Sequence, residues 1–353
     1  ATIKDTRKLQ VGKETIVFPS DAKTLVQAFR DNEIKVGDYL NYNDYVDESK
    51  TYTTATNENG WADQKYTATK NTYWQVLGLD ETGERLMLIS QSPIKKEMKT
   101  SDTAEEWEKT PYLVLKGAYG YVNCKQILNN VSGIYSTSLG KAESLTAEEI
   151  NRLIGVTVDY TNKKVYANSD PSTNIDEVGV LGNKYTYTAD DYTPESYINS
   201  KTHATAGTQT KPATAYNYKW GNLKIEDTLK TILFNGTTSD VNFAKSYWLA
   251  SPAVFADSGP ADFGPGGVGG GSVGAVSGLF GSDGHWVAGS FGVRPVVYLE
   301  SNITVEDLHT IDGQEENWSA YDNSNPLVAN GNLTDGLAEN HGTSSGGETG
   351  PNL

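Results

Sequence analysis

The pair Ser246-Tyr-Trp-Leu-Ala-Ser251 and Gly292-Val-Arg-Pro-Val-Val-Tyr-Leu299 decides how this 353-residue chain is read. Both segments are short and largely apolar, the first carrying adjacent aromatic residues and the second three valines, the composition of buried strands. Between them lies 251–293, forty-three residues with thirteen glycines and no Lys, Arg, Glu, Gln, Asn or Met. A glycine-rich stretch held between two solid strands is not expected to be a tether.

The exclusion of long polar side chains is itself a signal. Lys, Glu, Gln and Met supply 56 of the 353 residues, so about seven would be expected in a stretch of this length, and none occurs. What does occur is Gly, Ala, Ser, Val, Phe, Asp, Pro, Leu and His, with the single Trp286. Trp286 apart, each is reachable from an Asn codon by replacing its first two adenines, and Lys, Glu, Gln, Met and Trp are not.

The order SYWLAS, a Gly, Ser and aromatic-rich block, then GVRPVVYL resembles the carboxy-terminal part of the C-type-lectin-fold variable proteins of diversity-generating retroelements. Ile34-Lys-Val-Gly-Asp-Tyr-Leu-Asn-Tyr42 and Tyr73-Trp-Gln-Val-Leu-Gly-Leu-Asp80 look like a related group of bacterial and phage proteins. The resemblance spans roughly 34–310, with specific motifs near 246–251 and 291–299. It implies an α+β fold with a C-type-lectin-like domain and glycine-rich displayed loops, plus extended amino- and carboxy-terminal segments. In that family adenine-directed mutagenesis rewrites ligand-contacting residues while framework residues stay fixed. The framework positions implied here are Trp248, Leu249, Ala250, Ser251, Trp286, Gly292, Val293, Arg294 and Pro295.

Composition bounds the partners. A net charge of −16 and a pI near 4.7 disfavour nucleic acid and anionic membranes, which would be repelled. No apolar run is long enough to span a bilayer, and the first residues lack the apolar core of a leader. The single Cys124 excludes an intramolecular disulfide and any multi-cysteine metal site. Its helical context, Gly120-Tyr-Val-Asn-Cys-Lys-Gln-Ile-Leu128, reads as that of a buried structural thiol.

Periodicity divides the chain into an arm with a short helix (1–32), a body (33–310, with the variable region about 251–293) and a polar, acidic tail (311–353). Helices are expected over 21–30 and 118–132, and strands near 34–42, 71–79 and 84–91. Ser101 and Thr146 carry N-cap chemistry, the latter as Thr-x-x-Glu. Residues 156–168 read as a hairpin, 198–216 as a surface loop, 228–235 as a strand or a helix, and 301–313 as one last strand. Segment 320–353 has too few apolar residues to fold alone and is expected to order against a partner.

Catalytic readings fare poorly. The lectin-like fold is also that of formylglycine-generating enzymes, which need cysteine chemistry that Cys124 does not match in position. His203, His285, His309 and His341 are scattered, with no nucleophile motif beside them. Gly264–Gly271 lacks the following Lys or helix of a phosphate cradle. Asp257, Asp262 and Asp283 are too widely spaced for an obvious calcium loop. No cofactor is expected.

Binding remains. Adaptable binding surfaces pair rigid rings with Gly and Ser, and the block offers Phe255, Phe263, Phe280, His285 and Phe291 as anchors. Asp257, Asp262, Ser272, Ser282 and Asp283 offer polar contacts. The alternation around Leu279–Gly284 suggests that part of the block is strand-like. The competing reading for each phenylalanine is that it is core. Taken with this, the resemblance implies a non-catalytic protein with a diversifiable site that binds a protein or glycan on a cell surface, itself displayed on a virion or a bacterial surface. A fixed structural virion subunit, homo-oligomeric or assembly-bound, is the alternative, and a formylglycine-generating type of enzyme a second. Arg294, in an otherwise apolar strand, requires a buried carboxylate or carbonyl partner.

Overall fold

A computed structural model describes residues 8–11, 14–17, 22–104, 106–109, 111–159, 162, 164–173, 176–177, 185–186, 205–206, 218–219, 227–234, 246–255, 262–269, 272–275, 279–281 and 288–312. The fold is α+β, with mostly antiparallel strands and few helices. No helix among the described residues is long and apolar enough to cross a membrane.

The centre is a six-stranded sheet in the order Thr310–Ile311, Tyr39–Leu40, Trp74–Leu79, Leu86–Ser90, Pro295–Leu299, Gly140–Ser144. The inner strands Leu86–Ser90 and Pro295–Leu299 read as nearly unbroken apolar runs because they are buried on both faces, whereas the edge strand Gly140–Ser144 alternates buried residues with exposed or half-buried ones. The two-residue repeat of a strand then sorts side chains between two cores. Leu86, Leu88, Val297 and Leu299 enter one; Met87, Ile89, Val296 and Tyr298 enter the other. Pro295 opens its strand, a position where its missing N–H disturbs the ladder least.

Helices close both faces. In Cys124–Gly133 the buried residues Cys124, Ile127, Leu128 and Val131 recur at helical spacing and seal the first core. Tyr42, Trp74 and Tyr135 pack edge-on in the same core, with ring centroids 5.0 and 5.5 Å apart. On the second face lie Ala147–Leu153 and Asp227–Phe234, the latter through Leu229, Ile232 and Leu233. Thr146 and Glu149 form the expected capping box, with Glu149 N donating to Thr146 Oγ1 (3.2 Å) and Thr146 N to Glu149 Oε2 (2.9 Å).

Several boundaries differ from the sequence reading for local reasons. The expected helix over 118–132 is two helices, Gly117–Val122 and Cys124–Gly133, meeting at Asn123, whose amide donates to Glu58 O (3.0 Å). The strand over 34–42 contracts to Tyr39–Leu40 because Asp38 turns the chain, accepting from Lys35 N (2.8 Å) before Gly37 at φ +95°. The 228–235 segment is the helix Asp227–Phe234. The last strand is only Thr310–Ile311, because Thr304 N and Oγ1 both donate to Asp307 Oδ2 in a preceding turn. The helix assigned to an amino-terminal arm, Leu25–Arg30, joins the body: Leu25 and Ala28 are core residues, and Leu25 N donates to Ile303 O (2.9 Å). The hairpin is as expected, with Val156 opposite Ala167 and Val158 opposite Val165. The tail beyond Asp312 and most of the 198–216 loop lie outside the described residues.

Candidate binding site

The two quoted segments meet directly. Gly292 N donates to Ser246 O and Trp248 N to Gly292 O, both at 3.0 Å, so the chain leaving the glycine-rich block returns against the chain that entered it. Around this junction Tyr247, Trp248, Leu249 and Ala250 are all buried. Trp248 Nε1 donates to Leu113 O (3.0 Å), fixing the ring as well as burying it. Ser251 Oγ accepts from Ala147 N and donates to Glu148 Oε2, both at 2.9 Å. It thereby satisfies one of the orphan N–H groups at the start of Ala147–Leu153.

Arg294 is 1% exposed. Nε and Nη2 donate to Ser90 O (3.1 and 2.7 Å), Nη2 also to Gln91 O (3.2 Å), and Nη1 to Ile232 O (2.7 Å). Ile232 and Leu233 belong to the last turn of Asp227–Phe234, whose carbonyls lack helical partners and carry the negative end of its dipole. Tyr247 serves the same end, donating to Leu233 O (3.1 Å). Burial lowers the Arg294 pKa to about 10 and pushes the Tyr247 phenol up to about 12. Arg294 is thus held by carbonyls in the core.

From this junction Tyr247–Phe255 runs outward and builds a second sheet, in the order Tyr218–Lys219, Ser272–Ala275, Asp262–Gly269, Tyr247–Phe255, with Phe280–Gly281 also on Asp262–Gly269. The pairing Tyr247↔Val268, Trp248↔Gly267 shifts between Trp248 and Pro252, and resumes as Val254↔Phe263, Phe255↔Asp262. Phe280 pairs with Phe263 and Gly281 with Asp262. Backbone register therefore brings the candidate positions Phe255, Asp262, Phe263 and Phe280 to one end of the sheet. Ser272 lies at the other end, opposite Gly269 and Lys219. Asp257, Ser282, Asp283 and His285, with Trp286, lie outside the described residues.

Two expectations are corrected. Phe291 is no exposed anchor: it is 4% exposed and packs on Trp248 at 4.5 Å between ring centroids, because Ala288–Phe291 pairs with the buried strand Leu113–Lys116. Nor is the glycine-rich run wholly displayed loop. Gly264–Val268 is buried within a strand flanked on both sides, and Leu279 is a core residue. Part of the glycine content serves close packing. A Cβ on Gly289 would stand 2.9 Å from Trp248 Cη2, and one on Gly292 2.6 Å from Pro93 Cβ.

A second site was invisible in sequence. In the lysine-rich run Pro93-Ile-Lys-Lys-Glu-Met-Lys99, Lys96 is 4% exposed and lines a cavity of 190 Å³. Its neighbour Gln64 is buried and locked to Val114 by two bonds of 2.8 Å, donating to the carbonyl and accepting from the N–H. Cys124 is buried as expected, its thiol pushed up to about 12 by burial.

No family model, curated protein or solved structure matches the chain.

Proposed function

We propose that this chain is a non-catalytic ligand- or receptor-binding protein on a C-type-lectin-like fold, displayed on a phage particle or bacterial surface, whose glycine-rich sheet carries a diversifiable binding site. The observation that carries this reading is the placement, by backbone register, of Phe255 beside Asp262 and of Phe263 beside Phe280 at one end of a sheet rooted in the buried junction of Trp248 and Gly292. A rigid root with variable positions beyond it separates stability from recognition, because changes at the sheet end leave the core bonds intact. The bias towards residues reachable from Asn codons supports the same reading, as does the acidic charge, which suits an exposed partner other than nucleic acid.

The deciding experiment is to sequence the DNA flanking the gene. A near-copy of the coding segment for 246–299, differing mainly at adenines and lying beside a reverse transcriptase, supports diversification. Its absence moves the assignment to a fixed structural or adhesive subunit. Capture of glycan and cell-surface protein arrays by the native chain, compared with a chain carrying Ala at Phe255, Asp262, Phe263 and Phe280, then tests the site itself.

A further inference from the structure

The cavity at Lys96 lies apart from the glycine-rich sheet. Residues 94–99 run between Gln64–Thr67 on one side and Glu108 and Pro111 on the other: Glu97 N donates to Lys65 O (2.8 Å), Lys96 N to Pro111 O (3.1 Å) and Lys99 N to Glu108 O (2.9 Å). Lys96 is thereby pinned by its own backbone, and its Nζ donates to Gln64 Oε1 (3.1 Å). That oxygen also accepts from Val114 N (2.8 Å), so the amine donates to an anchored acceptor, and both Lys96 and Gln64 line the cavity.

The charges around the cavity are largely matched with one another. Lys65 pairs with Glu97 (2.7 Å), Lys99 pairs closely with Glu108, and Asp63 accepts from Thr56 N (3.0 Å) and Oγ1 (3.1 Å). Glu108 favours the ammonium form of Lys96, but burial outweighs it and lowers the Lys96 pKa to about 7. At that pH an ordinary exposed lysine is deprotonated in about one part in 10³.

We propose that Lys96 is the nucleophilic amine of a small carbonyl-binding cavity and forms an imine with small aldehydes. The amine lone pair attacks the carbonyl carbon to form the C–N bond. The carbonyl oxygen then departs as water with the two amine protons, leaving C=N. Gln64 orients the nitrogen, and the cavity restricts the size of the carbonyl compound.

The test uses the whole chain at pH 7 with propanal, and with cyanoborohydride as the hydride donor that reduces the imine to a stable secondary amine. Adducts are located by peptide mass spectrometry, with exposed Lys125 as reference. The α-amino group is set aside because it titrates in the same range. Lys96 is expected to be alkylated about ten-fold faster than Lys125 or more, with that advantage lost in denaturing urea. Equal or slower labelling of Lys96 in the native chain overturns the proposal, as does a preference that survives unfolding. Lys96→Arg keeps the charge and removes the amine. Its native fold is checked by the urea midpoint, and it is expected to lose the fast adduct while Lys125 labelling is unchanged. A fast native adduct at another cavity residue in that variant would also overturn the assignment.

Discussion

Arg294 stands over the ring of Tyr247, its guanidinium carbon 5.1 Å from the ring centroid, and both side chains bond the carboxy-terminal turn of one helix. The arginine reaches Ile232 O and the tyrosine reaches Leu233 O, so one residue from each side of the glycine-rich block caps Asp227–Phe234. The cation is stabilised by carbonyl dipoles, an aromatic face and the helix end together.

Arg294→Met is expected to destabilise the chain by about 3 kcal/mol or more, because it strips donors from the buried carbonyls of Ser90, Gln91 and Ile232. Arg294→Lys should recover only part of this, since one ammonium cannot reproduce the planar fork. Urea midpoints at neutral pH check both.

Gly289→Ala and Gly133→Ala should act in opposite directions. The first places a methyl 2.9 Å from the Trp248 ring and 3.3 Å from Leu279, a cost of roughly 1–3 kcal/mol. The second meets nothing within 4 Å at the end of a helix and should stabilise by roughly 0.5–1 kcal/mol. Thermal unfolding of the pair separates packing glycines from replaceable ones.

Ser251→Ala should cost about 1–2 kcal/mol, because it leaves the Ala147 N–H buried without its acceptor. Thr146→Ala acts on the same helix end at about 1 kcal/mol. A double-mutant cycle should show coupling, since both side chains satisfy the first turn of Ala147–Leu153.

Lys96 sets a pH dependence whose sign follows from its depressed pKa. The unfolded chain binds this proton up to the ordinary lysine range, whereas the folded chain releases it near pH 7. The penalty of burying the cation is therefore complete below pH 7 and is relieved as pH rises from 7 towards 10. In that window this group alone raises stability by up to about 1.4 kcal/mol per pH unit. Lys96→Met should be more stable than the parent at pH 6.5 and should flatten the profile to pH 9.5. Equal slopes for the two proteins would refute the assignment.

Cys124 is expected to resist iodoacetamide at pH 8 in the native chain and to react completely in urea, because burial holds the thiol protonated. Intact mass measured before and after unfolding reads this directly.

The parts of the fold legible in the sequence are those where side-chain pattern follows backbone geometry. Leu86–Ser90 and Pro295–Leu299 announced themselves as strands through continuous apolar residues, the pattern of a sheet covered on both faces. Thr146-Ala-Glu-Glu149 specified its helix start through chemistry confined to four residues. Glycine carries no period, so strands such as Asp262–Gly269 could not be delimited, although strand character in the block was expected. Phe291 and Phe263 look alike in sequence, yet Phe291 is a core residue because its strand pairs with Leu113–Lys116.

By itself the sequence determined the two core strands, the need of Arg294 for a buried acceptor, and the burial of Cys124, since each follows from local pattern or from the cost of an unpaired charge. Tertiary structure alone decided that this acceptor is a set of carbonyls from Ser90, Gln91 and Ile232, that Gly289 must admit a tryptophan ring, and that Lys96 is enclosed while its sequence neighbours Lys95 and Lys99 are not. These outcomes join residues tens to hundreds of positions apart. Burial is a property of what the rest of the chain brings alongside, and no local pattern encodes it.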